Sequence, residues 1–178
     1  MREGKRVARW AGLALSLAVG LGIRPALAQE TPTDQEIRHQ LNTLPRISVF
    51  DWLQWSYDKG TVTLSGSVWR PITKSDAEGA VKRVAGVDTV VNNIEVQPTS
   101  PNDDRIRMQV YRAIYRNTTL ERYAIQYAPP IRIIVKNGRV TLEGVVSNQG
   151  DKTIANVQAN TVPGVFQVTN NLKVEPKQ

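Results

Sequence analysis

Apolar positions between residues 29 and 178 follow two periods in turn. Ile37, Leu41 and Leu44 repeat at helical spacing, as do Ile106, Val110, Ala113 and Ile114. Leu53, Trp55 and Tyr57, then Ile131, Ile133 and Val135, alternate as strands with one face turned inward. Val62 and Leu64, like Val140 and Leu142, continue that face on a following strand. Lys59-Gly60 and Asn137-Gly138 between the strands predict tight hairpins, because such pairs accept the positive φ angles of a type I′ turn. A second helix is expected from about Ser75 to Ala85 and again from about Gly150 to Val162, ending at Gly86 and Gly164. Val87 to Val96 and Val165 to Val174 supply the closing strands. The order helix, strand, strand, helix, strand predicts an α+β fold, a small three-stranded mixed sheet with two helices on one face, formed twice.

The two copies are an internal repeat. Gly60 to Val68 (GTVTLSGSV) matches Gly138 to Val146 (GRVTLEGVV) at an offset of 78 residues, which aligns Gly66 with Gly144. Gly86 to Val96 matches Gly164 to Val174 at the same offset. Upstream, Asp34 to Arg38 matches Asp103 to Arg107 at an offset of 69, so the second copy has gained nine residues between its first helix and first strand. The gain falls in Thr118 to Pro130, which carries Leu120, Arg122, Tyr123, Ile125 and Tyr127. Pro98 and Pro101 mark the joint, giving modules at residues 29–98 and 99–178.

Residues 1–28 do not belong to this pattern. Arg2, Lys5, Arg6 and Arg9 precede an apolar run from Ala11 to Ile23, and the segment closes on Ala26-Leu27-Ala28. Thirteen residues are too few to span a bilayer, and the small-residue ending predicts a cleaved signal peptide and a periplasmic protein.

Charge is unevenly distributed along the chain. The formal charge of +7 includes five basic and one acidic residue in the signal segment. Residues 29–98 hold 7 basic and 9 acidic side chains, whereas residues 99–178 hold 11 and 6. An anionic partner is therefore expected to meet the second module, and the modest remainder argues against nucleic acid. The absence of cysteine removes disulfides, thiolate chemistry and thiolate metal ligands.

A turn glycine, the run V-T-L-x-G-x-V, a helix ending in Gly-Val and a strand with paired asparagines resemble the BON domain of bacterial envelope proteins. The resemblance covers about Thr33 to Pro98 and Asn102 to Pro176, and the whole is similar to dual-BON periplasmic proteins. It implies roles in osmotic stress, outer-membrane integrity and phospholipid binding.

No residue set points to catalysis, a metal or a cofactor. His39, the one histidine, is placed on the outer side of the first helix without a second His or a Cys. Ser65-Gly66-Ser67 lies on a strand rather than at a nucleophile elbow. The carboxylate pairs Asp76/Glu78 and Asp103/Asp104 are expected at helix starts, where negative charge meets the free N–H groups. Gly60, Gly66, Gly86, Gly138, Gly144 and Gly164 are read as turn and cap glycines. Trp55 and Tyr57 are read as core, and Trp52 and Trp69 as a patch that docks the second module.

Projected at 100° per residue, the first helix of the second module turns Ile106, Val110, Ala113 and Ile114 to the core. Arg105, Met108, Tyr111, Arg112, Tyr115 and Arg116 are expected on the opposite arc, a combination suited to an anionic lipid interface. The expected function is peripheral attachment to anionic phospholipid in support of the envelope. The alternative is a soluble, chaperone-like stress protein that binds envelope proteins through the aromatic residues of the first module.

Overall fold

The computed structural model describes residues 31–126 and 129–176. The proposed signal peptide and Tyr127 lie outside the described residues.

The first module runs α1 (Pro32–Asn42), β1 (Trp52–Asp58), β2 (Thr61–Val68), α2 (Pro71–Val81), β3 (Thr89–Asn92) and β4 (Glu95–Val96). The second runs α3 (Pro101–Tyr115), a 3-10 turn (Glu121–Tyr123), β5 (Ile131–Lys136), β6 (Arg139–Val146), α4 (Gln149–Asn160), β7 (Gln167–Asn170) and β8 (Lys173–Val174). In each sheet the hairpin is antiparallel, and the closing strands pair in parallel with the middle one. The α+β fold with two mixed sheets in tandem is therefore as expected.

Both hairpin turns have the expected backbone. Lys59 and Gly60 take φ of 45° and 82°, and Asn137 and Gly138 take 52° and 73°. Such a pair of positive φ values matches the right-handed twist of the flanking strands. Gly144 answers a different need, since a Cβ there would sit 1.8 Å from the carbonyl oxygen of Pro130. Gly66, Gly86 and Gly164 also have positive φ.

Three expectations need correction. The second helix of the first module is shifted towards the N-terminus, running from Pro71 to Val81 rather than from about Ser75 to Ala85, because Pro71 occupies its first turn. By contrast, α4 starts within one residue of expectation, where Asn148 caps it by accepting from Asp151 N, and ends at Asn160 rather than Val162. Consequently Asp76 and Glu78 lie well inside α2, where they pair with Arg46 and Lys82 instead of capping. Each closing strand is also broken in two. Asn92 turns its side chain back to donate to Lys74 O at 3.1 Å and accept from Ile94 N at 3.2 Å, and Asn170 repeats this with Lys152 and Leu172. The break drives Ile94 and Leu172 into their cores, where both are buried.

One core holds Ile37, Leu41, Val62, Leu64, Val81 and Ile94, with Trp55 and Tyr57 packed against it. The other holds Ile106, Val110, Ile114, Ile133, Leu142 and Leu172, and it also buries Phe50 from the first module. The modules are joined by side chains as well as by the linker.

Candidate functional site

α3 is the element on which the candidate surface is built. Ser100 caps it by accepting from Asp103 N, Pro101 fills its first turn, and Ile106, Val110 and Ile114 bury its apolar stripe. The opposite arc carries Arg105, Met108, Arg112 and Arg116, all exposed, with Asn102 among them and no acidic residue. Arg105 is steadied by hydrogen bonds from its guanidinium to Asn102 Oδ1 at 2.8 Å and Gln109 Oε1 at 3.0 Å. Met108 is 39% exposed.

Tyr111 and Tyr115 are not on that arc. Tyr115 is 5% exposed, and its hydroxyl donates to Ile131 O at 2.5 Å. Tyr111 is half-buried, with its ring 5.1 Å from that of Tyr115 and 6.1 Å from that of Phe50. Phe50 in turn meets Trp69 edge-on at 5.4 Å, so four rings run from the first module into the second. Tyr111 is turned aside where Phe50 of the first module packs, and Tyr115 is held by its own module through Ile131 O. Trp69 does dock the second module, as expected, and its Nε1 donates to Asp104 Oδ1 at 3.2 Å. Asp51 positions these rings by accepting from Trp69 N at 2.8 Å and from Ser48 N at 2.8 Å.

Sequence reasoning missed Arg107. Its guanidinium is fully buried, with Nη2 donating to Gln97 Oε1 at 2.8 Å and Val135 O at 3.1 Å, while Nη1 pairs with Asp104. Trp69 lies across it at 5.4 Å. Burial lowers its pKa by disfavouring the cation, and Asp104 opposes that shift. The one signal in the sequence is its place beside Ile106, on the flank of the apolar stripe rather than opposite it.

Module one also closes the outer edge of β5. Ile133 N donates to Val49 O at 2.8 Å, and Gln97 Oε1 takes Val135 N at 3.4 Å. Arg132, half-buried beside this joint, donates to Ser48 O at 2.8 Å.

The inserted segment covers the core of the second module. Leu120 and Tyr123 are buried within it, Tyr123 donates from its hydroxyl to Asp151 Oδ2 at 2.6 Å, and Arg122 pairs with the same carboxylate. Ile125 stands 87% exposed on this segment.

Among the described residues no cluster of His, Cys, Asp or Glu is arranged to hold a metal ion, and no helix is long and apolar enough to cross a membrane. His39 is exposed on α1. Asp103 is buried and bonded to the hairpin, accepting from Asn137 N and Gly138 N at 2.8 Å each, so the Asp103/Asp104 pair is engaged in structure at the start of α3.

No curated protein matches the chain. Two solved structures of CdsD, a structural protein of the type III secretion system of Chlamydia trachomatis, are similar to it. The C-terminal domain is 13% identical and covers 80% of this chain and 96% of that one, with a TM-score of 0.28. The second is 14% identical and covers 81% and 92%, also with a TM-score of 0.28. A superposition that loose carries no argument about function. The BON domain, in contrast, matches twice, over residues 29–98 and 102–176, the same two segments that fold as repeated modules. The chain belongs to the BON domain family.

Proposed function

We propose that this is an exported, non-enzymatic envelope protein that attaches peripherally to anionic phospholipid through the exposed face of α3. BON domains are in general non-catalytic and occur in envelope proteins connected with membranes and phospholipid. The observation that carries the reading is the arc of Arg105, Arg112 and Arg116 around Met108, free of carboxylates, on the module with the basic balance. Near an anionic surface each arginine contributes roughly 1 kcal/mol. Three give on the order of 3 kcal/mol, enough for reversible attachment and too little for firm anchoring. Met108 adds apolar contact on the same face, and Ile125 supplies a second exposed apolar side chain on the segment that follows α3. The corresponding helix of the first module exposes Glu36 beside Arg38 and His39, a mixed face that supplies no such field.

Co-sedimentation of the protein with phosphatidylglycerol vesicles, against phosphatidylcholine vesicles, tests the reading. Binding is expected on the first alone, and it should weaken steeply between about 0.05 and 0.5 M salt as screening shortens the reach of the field. Changing Arg105, Arg112 and Arg116 together to Glu should abolish it with the melting temperature preserved. Charge reversal of Lys82 and Arg83 on the first module is the control. Equal binding by the triple variant, or equal loss in the control, sinks the proposal. Export is checked separately, by a mass that begins at Gln29.

A further inference from the structure

The faces of the two sheets that carry no helices border a cleft of about 700 Å³. Trp52, Gln54 and Ser67 line it from the first module, and Ile134, Arg139 and Thr141 from the second. It lies on the face of the second sheet opposite α3, because Ile133 and Val135 face the core while Ile134 and Lys136 alternate outward.

The cleft has balanced charge. Lys136 pairs across the modules with Glu95, Asn171 donates to Glu143 Oε1 at 2.7 Å, and Arg139 lies over the ring of Phe166 at 5.4 Å. Two cations against two carboxylates leave nothing to select an ion. Beside them stand neutral polar groups: the amides of Gln54 and Asn137 and the hydroxyls of Thr141 and Ser67. Ser67 Oγ is buried without a hydrogen-bond partner, a costly arrangement that a ligand hydroxyl would relieve. The apolar contribution is the flat indole of Trp52 together with Ile134, which is 6% exposed although it lies on the outward face.

The repeat shows where the copies part company. The positions of Ile134, Lys136, Arg139 and Glu143 are filled at the equivalent sites of the first module by Ser56, Asp58, Thr61 and Ser65, while the core positions stay apolar in both. The cleft wall in the second module has therefore diverged in size and chemistry on a sheet face that the fold alone does not constrain.

An extended peptide would add to a sheet edge through its backbone. The nearest edge, that of β5, already gives Ile133 N to Val49 O and Val135 N to Gln97. An apolar ligand would leave the amides and hydroxyls unpaired. A ligand with flat C–H faces rimmed by hydroxyl groups satisfies both the indole and the neutral polar groups, and it needs no charge. We propose that the inter-module cleft is a binding site for a neutral oligosaccharide, with Trp52 as the platform and Gln54, Asn137 and Thr141 as the hydrogen-bonding rim.

Isothermal calorimetry of the intact protein with chitotetraose and with maltotetraose, beside an end-blocked tetraglycine, tests this. Saturable binding of at least one saccharide is expected, unchanged between low and high salt. Thr141→Val and Gln54→Leu, which leave the core untouched, should each weaken it at least threefold, and Trp52→Ala at least tenfold. The triple arginine variant of α3 should bind saccharide as the parent does, so loss of lipid binding and loss of sugar binding are separable. No saturable heat with either saccharide up to about 10 mM overturns the proposal, that concentration marking affinity too weak to count as recognition. So does binding that survives both Thr141→Val and Gln54→Leu, or binding of the peptide alone.

Discussion

Arg107 in the second module donates from Nη2 to Oε1 of Gln97, which closes the first module, at 2.8 Å. The fully buried guanidinium thus bridges the two halves, since it also holds Val135 O and sits against Trp69. Its Nη groups are bonded while Nε is buried without a partner, and removing the side chain would strip Val135 O and Gln97 Oε1 of a charged donor. Arg107→Ala is expected to cost on the order of 3 kcal/mol, about 6–12 °C in melting temperature. Calorimetry should also show the single transition of the parent splitting in two as the modules uncouple. An unsplit transition at the parental temperature would remove Arg107 from this role.

Asp103 acts at shorter range. Its two carboxylate oxygens accept from Asn137 N and Gly138 N, fixing the β5–β6 hairpin to the start of α3. Asp103→Ala orphans both donors and should cost roughly 2–4 kcal/mol, whereas Asp103→Asn keeps one acceptor and should cost about half of that. Urea unfolding of both variants measures the difference.

Turns and apolar stripes were legible in the sequence, whereas helix starts, strand breaks and contacts from distant segments were not. Asn137-Gly138 specified its hairpin locally, and Ile106, Val110 and Ile114 specified the buried stripe of α3. Tyr111 and Tyr115 were placed in solvent because the helix alone leaves their side open. Phe50, which meets Tyr111, comes from the other module, whereas Tyr115 is held within its own module by Ile131 O and the ring of Tyr111. Arg107 is hidden for the same reason, because an arginine reads as solvated until a partner surface covers it. Asp76 and Glu78 were misplaced by a helix start that Pro71 moves forward. In the α3 surface, Arg105, Met108, Arg112 and Arg116 keep the expected exposure.

Tyr115 separates packing from membrane contact. Burial pushes its phenol well above the usual tyrosine range, so the hydroxyl remains a donor to Ile131 O across the neutral range. Tyr115→Phe should lose about 1 kcal/mol, and Tyr115→Ala about 3–5 kcal/mol. The phenylalanine variant should bind anionic vesicles like the parent, as measured by co-sedimentation. A large loss of binding in that variant with a normal melting temperature would show that the hydroxyl contacts lipid.

The Lys136–Glu95 pair across the cleft should add a pH dependence to docking. The hydrogen bond from Lys136, reinforced by its charge, holds the Glu95 carboxyl below its ordinary value of 4.5. A depressed folded-state pKa stabilises the folded protein above the unfolded value, and the contribution fades as pH falls through the folded value. Glu95→Gln should therefore melt slightly below the parent at pH 7, with the gap closing as pH falls through the lowered folded-state value. Melting curves of both proteins from pH 3 to 7 on this scale give the comparison, and a gap constant with pH would show that the pair is not coupled to folding.

Asp151 controls the inserted segment. Its Oδ2 accepts from Tyr123 Oη at 2.6 Å and Asn148 Nδ2 at 3.0 Å and pairs with Arg122, while its own N–H is capped by Asn148. Tyr123 Oη also accepts from Ser147 N at 2.8 Å, so one carboxylate ties the 3-10 turn to the start of α4. Losing it would leave a buried phenol without its acceptor and strip the exposed Arg122 of its ion pair. Asp151→Ala is expected to destabilise by on the order of 3 kcal/mol through the lost side-chain hydrogen bonds to Tyr123, Asn148 and Arg122, while the backbone cap from Asn148 remains. The segment should open before the core does, because Leu120 and Tyr123 are its buried anchors and Ile125 contributes none. Limited trypsin digestion should then cut after Arg122 in the variant under conditions that leave the parent whole. If the variant resists cleavage at Arg122 and melts like the parent, the segment is held by Leu120 and Tyr123 packing alone.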